Sequence, residues 1–573
     1  MKPVKPRPAR EFLPGETAWS GGSGGRGGRS GDQTSSGQAH GAKTDQEAST
    51  ELNPAGGWAK SKGPAAKRGP IPPIRLTDSL DDNVKAIKDQ LAPSDDLHTR
   101  DIQTPLSPSG RAVLIYFHPL VDIVRVENSI VAPLNLIPRE YTQPPGPPKG
   151  LETLLRGAIA SLIYKVVDDV ASVAREMAVG SVILLVDGFP QAAAMLVDAW
   201  PSRQVQEPPS ETTIRGPHEG FTESLEDNIA LVRRRIKDPR LALQLLEVGR
   251  RSRSRVAVMY VADLVRPELI REVLSRLGKV NYGQSVDASF VTEMIGPHRW
   301  TVFPRYMVSG RPDRVAAGLQ DGRVAILVEG DPEAILIPSL FMEFFTTPDD
   351  YYFAAPVASF LRFMRILGAL IVLFLPAIYI SVAAYNPDVM RVELALVIAG
   401  TREGVPLSVV IEVLVMEIFL EMFQEATVRL PSRVGTAATV VGGLIIGQAA
   451  AQARLISNIM VIIVAVTAIG SFTTPSYDMA LAVRLTRWVM IAAATIFGLY
   501  GVTLAAFLLV IYLNSTESFG VPYLAPYSPL QPGGLASDSV IRKPWWKSWL
   551  RPKAFAPRGR RRGAPKSDEG GEW

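Results

Sequence analysis

No cysteine occurs in the 573 residues, which excludes disulfides, a thiolate nucleophile and any Cys-ligated metal. Histidine is nearly as scarce, with five residues and none beyond His298. Neither GxxxxGK nor HExxH is present, so the usual phosphate-cradling and zinc-hydrolase signatures are missing. These absences predict a chain that is not an enzyme and carries neither cofactor nor metal. The start, MKPVKPRPAREFLPG, is basic but has no apolar segment, so no cleaved signal peptide is expected and the N-terminal half should stay in the cytoplasm. A net charge of +5 is small for this length and sits largely in the C-terminal tail, which argues against nucleic-acid binding.

What is abundant is apolar sequence in long blocks. ILGALIVLFLPAIYISVAAY, Ile366 to Tyr385, is 20 residues without a formal charge, the length that crosses a hydrocarbon core of about 30 Å as a helix. Further runs begin at Val405, Val434 and Ile456, and a long one extends from Trp488 to Leu513. None alternates with period two, so helical spans are expected from 366 to 514. PDDYYFAAPVASFLRFMR, Pro348 to Arg365, precedes the first run. Its aromatics suit an interface and Arg362 and Arg365 suit the cytoplasmic side, so 346–365 is expected to couple soluble and membrane parts.

Residues 1–75 are rich in Gly, Ser, Pro and charge and are expected to be disordered. Beyond them the chain repeats itself. SLDDNVKAIKDQL at Ser79 resembles SLEDNIALVRRRI at Ser224, AVLIYFHPLV at Ala112 resembles VAVMYVADLV at Val256, and GSVILLVDGFPQAAAM at Gly180 resembles GRVAILVEGDPEAILI at Gly322. The nearly constant offset implies a duplication. The predicted fold is therefore multi-domain, with two tandem α/β domains, 76–205 and 212–345, before an α-helical polytopic membrane domain. In each unit a helix precedes a buried apolar strand, further helices and a second strand. Asp187 and Glu329 end equivalent strands and are expected to cap turns rather than hold a metal.

The membrane half carries ionisable groups that cost at least ~2.5 kcal/mol each at bilayer depth. Glu417, Glu421 and Glu425 follow one another at four-residue steps, with Glu412 upstream. Either this stripe faces a water-filled vestibule that attracts cations, or its helix lies partly in the interface. The third run, VGTAATVVGGLIIGQAAAQA, is built of small residues, and Thr436, Val440, Gly443, Gly447 and Ala450 share a helical face. Such a face serves close helix packing or a narrow pore gated by apolar rings. Arg429, Arg433, Arg484 and Arg487 read as cytoplasmic flanks. Five simple spans would leave the tail, 515–573, outside. Its RKPWWKSWLRPK instead suits an anionic cytoplasmic leaflet, so it is expected inside, with one segment dipping or re-entering.

IRGPHEGFTESLEDNIALVRRRI, GRPDRVAAGLQDGRVAILVEG, PDDYY, GTREGVPLSVVIEVL, RLPSRVG, IIGQAA and SFGVPYLAPYSPL occur in the order of the landmarks of the GerA family, the A-type subunit of bacterial spore germinant receptors. The resemblance covers about Ser79 to Leu530. It implies a multi-pass protein of the spore inner membrane, acting with a transporter-like B subunit that binds nutrient and a lipoprotein C subunit. It also implies a homo-oligomer, a pentamer, forming a nutrient-gated channel that releases monovalent cations. On that basis Thr436, Val440, Val441, Gly443, Leu444, Ile445 and Gly447 are candidate pore-lining or gate residues, and Glu412, Glu417, Glu421 and Glu425 candidate vestibule acids. Three alternatives stand beside this: a paralogue associated with the dipicolinic-acid release channel, a non-conducting scaffold, and a secondary transporter. The intact REGVP and RLPSR motifs favour the receptor subunit. A transporter would show its repeat in the membrane half, whereas the duplication lies in the soluble half.

Overall fold

The computed structural model describes residues 74–562, except 108, 137–150, most of 153–162, 198–207, 209–210, 281, 284–286, 297–299, 430–446, 532–537 and 560. The expectation of disorder for 1–75 falls almost entirely outside these. Helix α1 (Leu80–Gln90) opens the first unit because the Ser79 hydroxyl accepts the Asp82 N–H, and two aspartates in its first turn suit the helix dipole. Strands β1 (Leu97–Gln103), β2 (Arg111–Phe117), β3 (Tyr164–Val167), β4 (Ser181–Val186) and β5 (Ala192–Leu196) form one sheet in the order β1-β2-β4-β5-β3. All its pairings are antiparallel. Helix α2 (Val170–Val179) joins β3 to β4 and packs on α1.

The second unit repeats this. Helix α3 (Leu225–Arg235) is capped by Ser224 as α1 is by Ser79. Strands β6 (Leu241–Val248), β7 (Ser254–Val261), β8 (Met307–Ser309), β9 (Val324–Val328) and β10 (Ala334–Ile337) pair in the order β6-β7-β9-β10-β8, again antiparallel throughout. Helix α4 (Pro312–Gln320) joins β8 to β9. Every residue of β4 and of β9 is buried, as their uninterrupted apolar sequence requires. Sequence reading found the helices and the central strands. It missed β1, β3, β6 and β8, which are polar, short or without regular alternation, and did not see β5 and β10 beyond the turns that end β4 and β9.

The two sheets meet through a buried ion pair. Arg233 Nε donates to Asp96 Oδ2 at 2.6 Å and Arg233 Nη2 to Ser94 Oγ at 2.7 Å, with the guanidinium over the Phe117 ring. Both charged side chains are nearly inaccessible.

The helical half follows. It comprises α5 (Ala355–Ile380), α6 (Val392–Thr401), α7 (Val409–Arg429), α8 (Asn458–Ser471) and α9 (Tyr477–Ser515). Among the described residues, Ala355–Tyr385 and Tyr477–Ser515 are long and apolar enough to cross a membrane. The segment expected to couple the halves has no break at Arg365, because α5 already starts at Ala355. Helices α5 and α8 cross closely, since a Cβ on Gly368 would lie 3.2 Å from the Gly470 carbonyl oxygen and 2.1 Å from Thr473 Oγ1.

The last apolar run is not one straight span. Thirty-nine helical residues would reach about 58 Å, yet both ends of α9 lie at the second sheet unit. Tyr477 and Asp478 line a cavity with Ser289, Thr301 and Arg305, and the Tyr512 ring lies tilted 6.2 Å from that of Phe303. The reversal is at Gly498, whose φ of 57° and ψ of −139° are non-helical and suit only glycine. Asn386 Oδ1 accepts the Leu499 N–H there at 3.3 Å, and the Tyr385 hydroxyl donates to the Thr495 carbonyl.

Candidate functional site

Where the second sheet unit, α5 and the tail converge, the charged groups are buried and bonded. Asp350 belongs to a short turn after Pro348, in which the Asp350 carboxylate accepts the Thr347 N–H at 3.2 Å. Arg362 and Arg365 lie three residues apart on the first turns of α5, hence on one face, and both reach it. Arg362 Nε donates to Asp350 Oδ2 at 2.9 Å, and Arg365 Nη1 to both Asp350 oxygens at 2.9 Å. Arg365 also donates to the Phe345 carbonyl and to Thr347 Oγ1, so it ties the end of the second sheet unit to the helix. Arg362 Nη1 donates to the Asp538 side chain and to the Ser539 carbonyl of the tail. Arg542 completes the knot by donating to the Phe353 and Tyr351 carbonyls. Asp350 and Arg362 are fully buried.

The tail continues over the second sheet unit. The Tyr523 hydroxyl donates to the Pro304 carbonyl at 2.6 Å, the Phe341 N–H to the Tyr523 carbonyl, and the Arg558 N–H to the Leu264 carbonyl. Beside this junction lies a cavity of about 830 Å³, lined by Arg305, Glu333, Thr346, Ser476 and Asp478 among others. Arg305 is buried, with Nε and Nη1 unpartnered. Burial pushes the Glu333 carboxyl up, and nearby Asp331, Glu211 and Asp478 push it further.

A second charged cluster lies within the helical half. The four α7 glutamates do not share one environment. Glu412 is buried at the end far from the sheets and accepts the Ser457 N–H and hydroxyl at 2.5 and 2.6 Å. Glu417 and Arg487 are both fully buried and 3.0 Å apart. Glu421 takes Arg484 and Arg487 together. Glu425 is exposed and pairs with Arg429, four residues on. Arg484 and Arg487, expected as loop flanks, thus lie inside α9 facing α7. The pattern was present in the sequence, since Glu417 and Glu421 at four-residue spacing match Arg484 and Arg487 at three. Their match across 63 residues and more was not. Both Glu417 oxygens and Arg487 Nε and Nη1 lack a hydrogen-bond partner, so the pair is electrostatic without full satisfaction.

Of the candidate gate residues, Thr436, Val440, Val441, Gly443, Leu444 and Ile445 lie outside the described residues. Gly447 opens a short helix, Gly447–Gln452. Asp187 and Glu329 both sit at strand ends, Asp187 bonded to hydroxyl and backbone donors and Glu329 ion-paired with Arg255. Asp187 accepts the Ser109 hydroxyl at 2.6 Å and the Leu80 N–H, and the Ser109 bond holds its carboxyl below the usual range. Arg255 does the same for Glu329. Among the described residues no group of three or more His, Cys, Asp or Glu is placed to hold a metal.

The family model described as "Bacillus/Clostridium GerA spore germination protein" matches residues 85–554. Spore germination protein KA of Bacillus subtilis is 34% identical over 84% of this chain and 88% of its own. Spore germination protein B1 of the same organism is 33% identical over 82% of this chain and 96% of its own. Among solved structures, the N-terminal domain of the A subunit of the Bacillus megaterium spore germinant receptor GerK3 aligns at 24% identity. That alignment covers 47% of this chain and 98% of that one, with a TM-score of 0.37.

Proposed function

The chain belongs to the GerA family of spore germination proteins, and on that premise we propose that it is the A-type membrane subunit of a bacterial spore germinant receptor. In this reading it sits in the spore inner membrane with its two sheet units, as tandem domains, in the cytoplasm. It works with a transporter-like B subunit and a lipoprotein C subunit. Copies of it assemble, as a pentamer, around a channel that opens on nutrient binding and releases monovalent cations.

The observation that carries this is the Asp350 junction. A buried, multiply bonded charge cluster joins the second sheet unit, the first long apolar helix and the tail, so a movement of the sheets is transmitted to the helix rather than absorbed. The helical path supports the topology. Helix α5 leads away from the sheets, α7 and α8 run back towards them, and α9 goes out and returns at Gly498. With the apolar run from Val434 counted as a span on its sequence alone, the crossings number six, and the tail ends on the side of the sheets, as its contacts there require. The reversal at Gly498 supplies the even count that five simple spans lack.

Potassium release from spores tests the channel. With nutrient absent, Val441→Ala is expected to leak and Gly443→Val to stay closed. With nutrient present, Gly443→Val is expected to block release at equal protein levels. Two variants indistinguishable from wild type would remove the gate from this segment. A non-conducting scaffold is the second reading, favoured by the arginines that neutralise Glu417 and Glu421. A scaffold would tolerate both substitutions wherever packing survives.

A further inference from the structure

The tail segment that follows the Asp350 junction leaves its largest apolar side chains uncovered. Trp545, Trp546, Trp549 and Leu550 are 60%, 70%, 45% and 59% exposed, and Ile541 is 53% exposed. Such a patch on a chain surface marks a contact. Its position is fixed by the first turn of α5, because the Arg542 N–H donates to Ser359 Oγ at 3.0 Å and the Trp545 ring lies 5.9 Å from that of Tyr351. The exposed face of α5, with Val357, Phe360 and Phe363 half or more uncovered, starts at the same level. The charge within the tail segment itself is almost all of one sign. Between Asp538 and Arg562 the sequence has nine Lys or Arg and Asp538 as its one acid, and Lys547 is exposed between the tryptophans.

We propose that residues 541–553 form a second membrane contact, a tryptophan-and-lysine platform that lies on the bilayer surface at the start of α5 and selects anionic phospholipid. Tryptophan favours the headgroup level, where its ring is buried and its N–H stays wet. Lysine and arginine add attraction to an anionic leaflet. The platform is held to Asp350 and Arg362 through Asp538, so lipid occupancy bears on the same junction that joins sheets to helix. This inference rests on the proposal that α5 and α9 cross the membrane.

The absence of cysteine makes the test direct. Full-length chain carrying Ser548→Cys or, as the span reference, Phe507→Cys is labelled with an environment-sensitive fluorophore. It is then reconstituted into phosphatidylcholine vesicles with or without about a third phosphatidylglycerol and exposed to brominated lipid. The Phe507 label is expected to be quenched in both. The Ser548 label is expected to be quenched strongly with phosphatidylglycerol and weakly without. Lys547→Gln should lower the bound-to-free ratio of the segment about fivefold. Replacing all three tryptophans by alanine should abolish quenching at Ser548 and leave it intact at Phe507. A Ser548 label that stays in water on anionic vesicles while Phe507 is quenched overturns the platform and leaves the patch to a protein partner. An unquenched Phe507 label overturns the membrane path itself, and the platform with it.

Discussion

The two sheet units share one strand order and one local bracket, but differ in what they are attached to. In the first, Thr77 donates through N–H and hydroxyl to Asn83 Oδ1, and Asn83 Nδ2 returns a bond to the Thr77 carbonyl at 2.6 Å. In the second, Thr222 and Asn228 do the same, again closing at 2.6 Å. The bracket fixes the entry to each first helix. Beyond it the units diverge. Contacts from the first to the second pass through Arg233 with Asp96 and Ser94, and through the backbone at Ala92 and Asp95. The second carries the tail, the Asp350 junction and α9 as well. The shared strand order and bracket make the fold of each unit, and the attachment to the helical half belongs to the second.

The largest effects are expected at two of the buried ion pairs, Arg362 with Asp350 and Arg233 with Asp96, and they should differ in extent. Arg362→Leu leaves the fully buried Asp350 with Arg365 alone and unties Asp538 of the tail, a cost of about 3 kcal/mol, and the protein should fail to accumulate in membranes on immunoblot. Arg233→Leu strands Asp96 at similar cost. Its damage should be confined to the seam between the sheets, so limited proteolysis is expected to cut between residues 200 and 225 and leave the helical half intact. Equal loss of the whole chain from both would erase the distinction between the units.

The bracket should behave alike in both copies. Asn83→Ala and Asn228→Ala each remove a buried asparagine and with it the bonds to the N–H and carbonyl of a threonine, costing about 1 kcal/mol. Thermal melting in detergent should show comparable downward shifts. Ser79→Ala and Ser224→Ala remove the helix caps and are expected to cost about 1 kcal/mol each, read in the same assay. A large inequality within either pair would show that the copies no longer fold as equivalents.

The smallest effect is a pH difference. Arg255 holds the Glu329 carboxyl below its usual range, so the pair stabilises the fold above the unfolded value and loses this as pH falls through the folded value. Both groups are more than a third exposed, which limits the contribution to below about 1 kcal/mol. The melting difference between wild type and Glu329→Gln should be present near neutral pH and vanish as the pH falls below the lowered folded-state value of Glu329.

Several features were legible in the sequence for clear reasons. The repeat shows because SLDDN and SLEDN each combine an N-cap serine, first-turn acids and a bracketing asparagine. The central strands show because they are unbroken apolar runs. The edge strands do not, since LHTRDIQ is largely solvated and β8 has three residues. The break at Gly498 is hidden because one glycine in an apolar run reads equally as packing, and the chain reverses there with no proline. The acidic stripe was visible, but whether its charges meet water or arginine depends on how α9 is placed. The junction was half visible. PDDYY and the paired arginines stand out, whereas Asp538, which closes the cluster, lies 176 residues beyond Arg362.

The coupling role of the junction is tested most directly by Arg365→Lys. Lysine keeps the charge beside Asp350 but cannot span Asp350, Thr347 and the Phe345 carbonyl at once. In spores with wild-type levels of the protein, nutrient-triggered potassium release should be delayed and reduced while release without nutrient stays at baseline. Release with wild-type onset and extent would contradict the claim that this cluster transmits movement from the sheets to the helices.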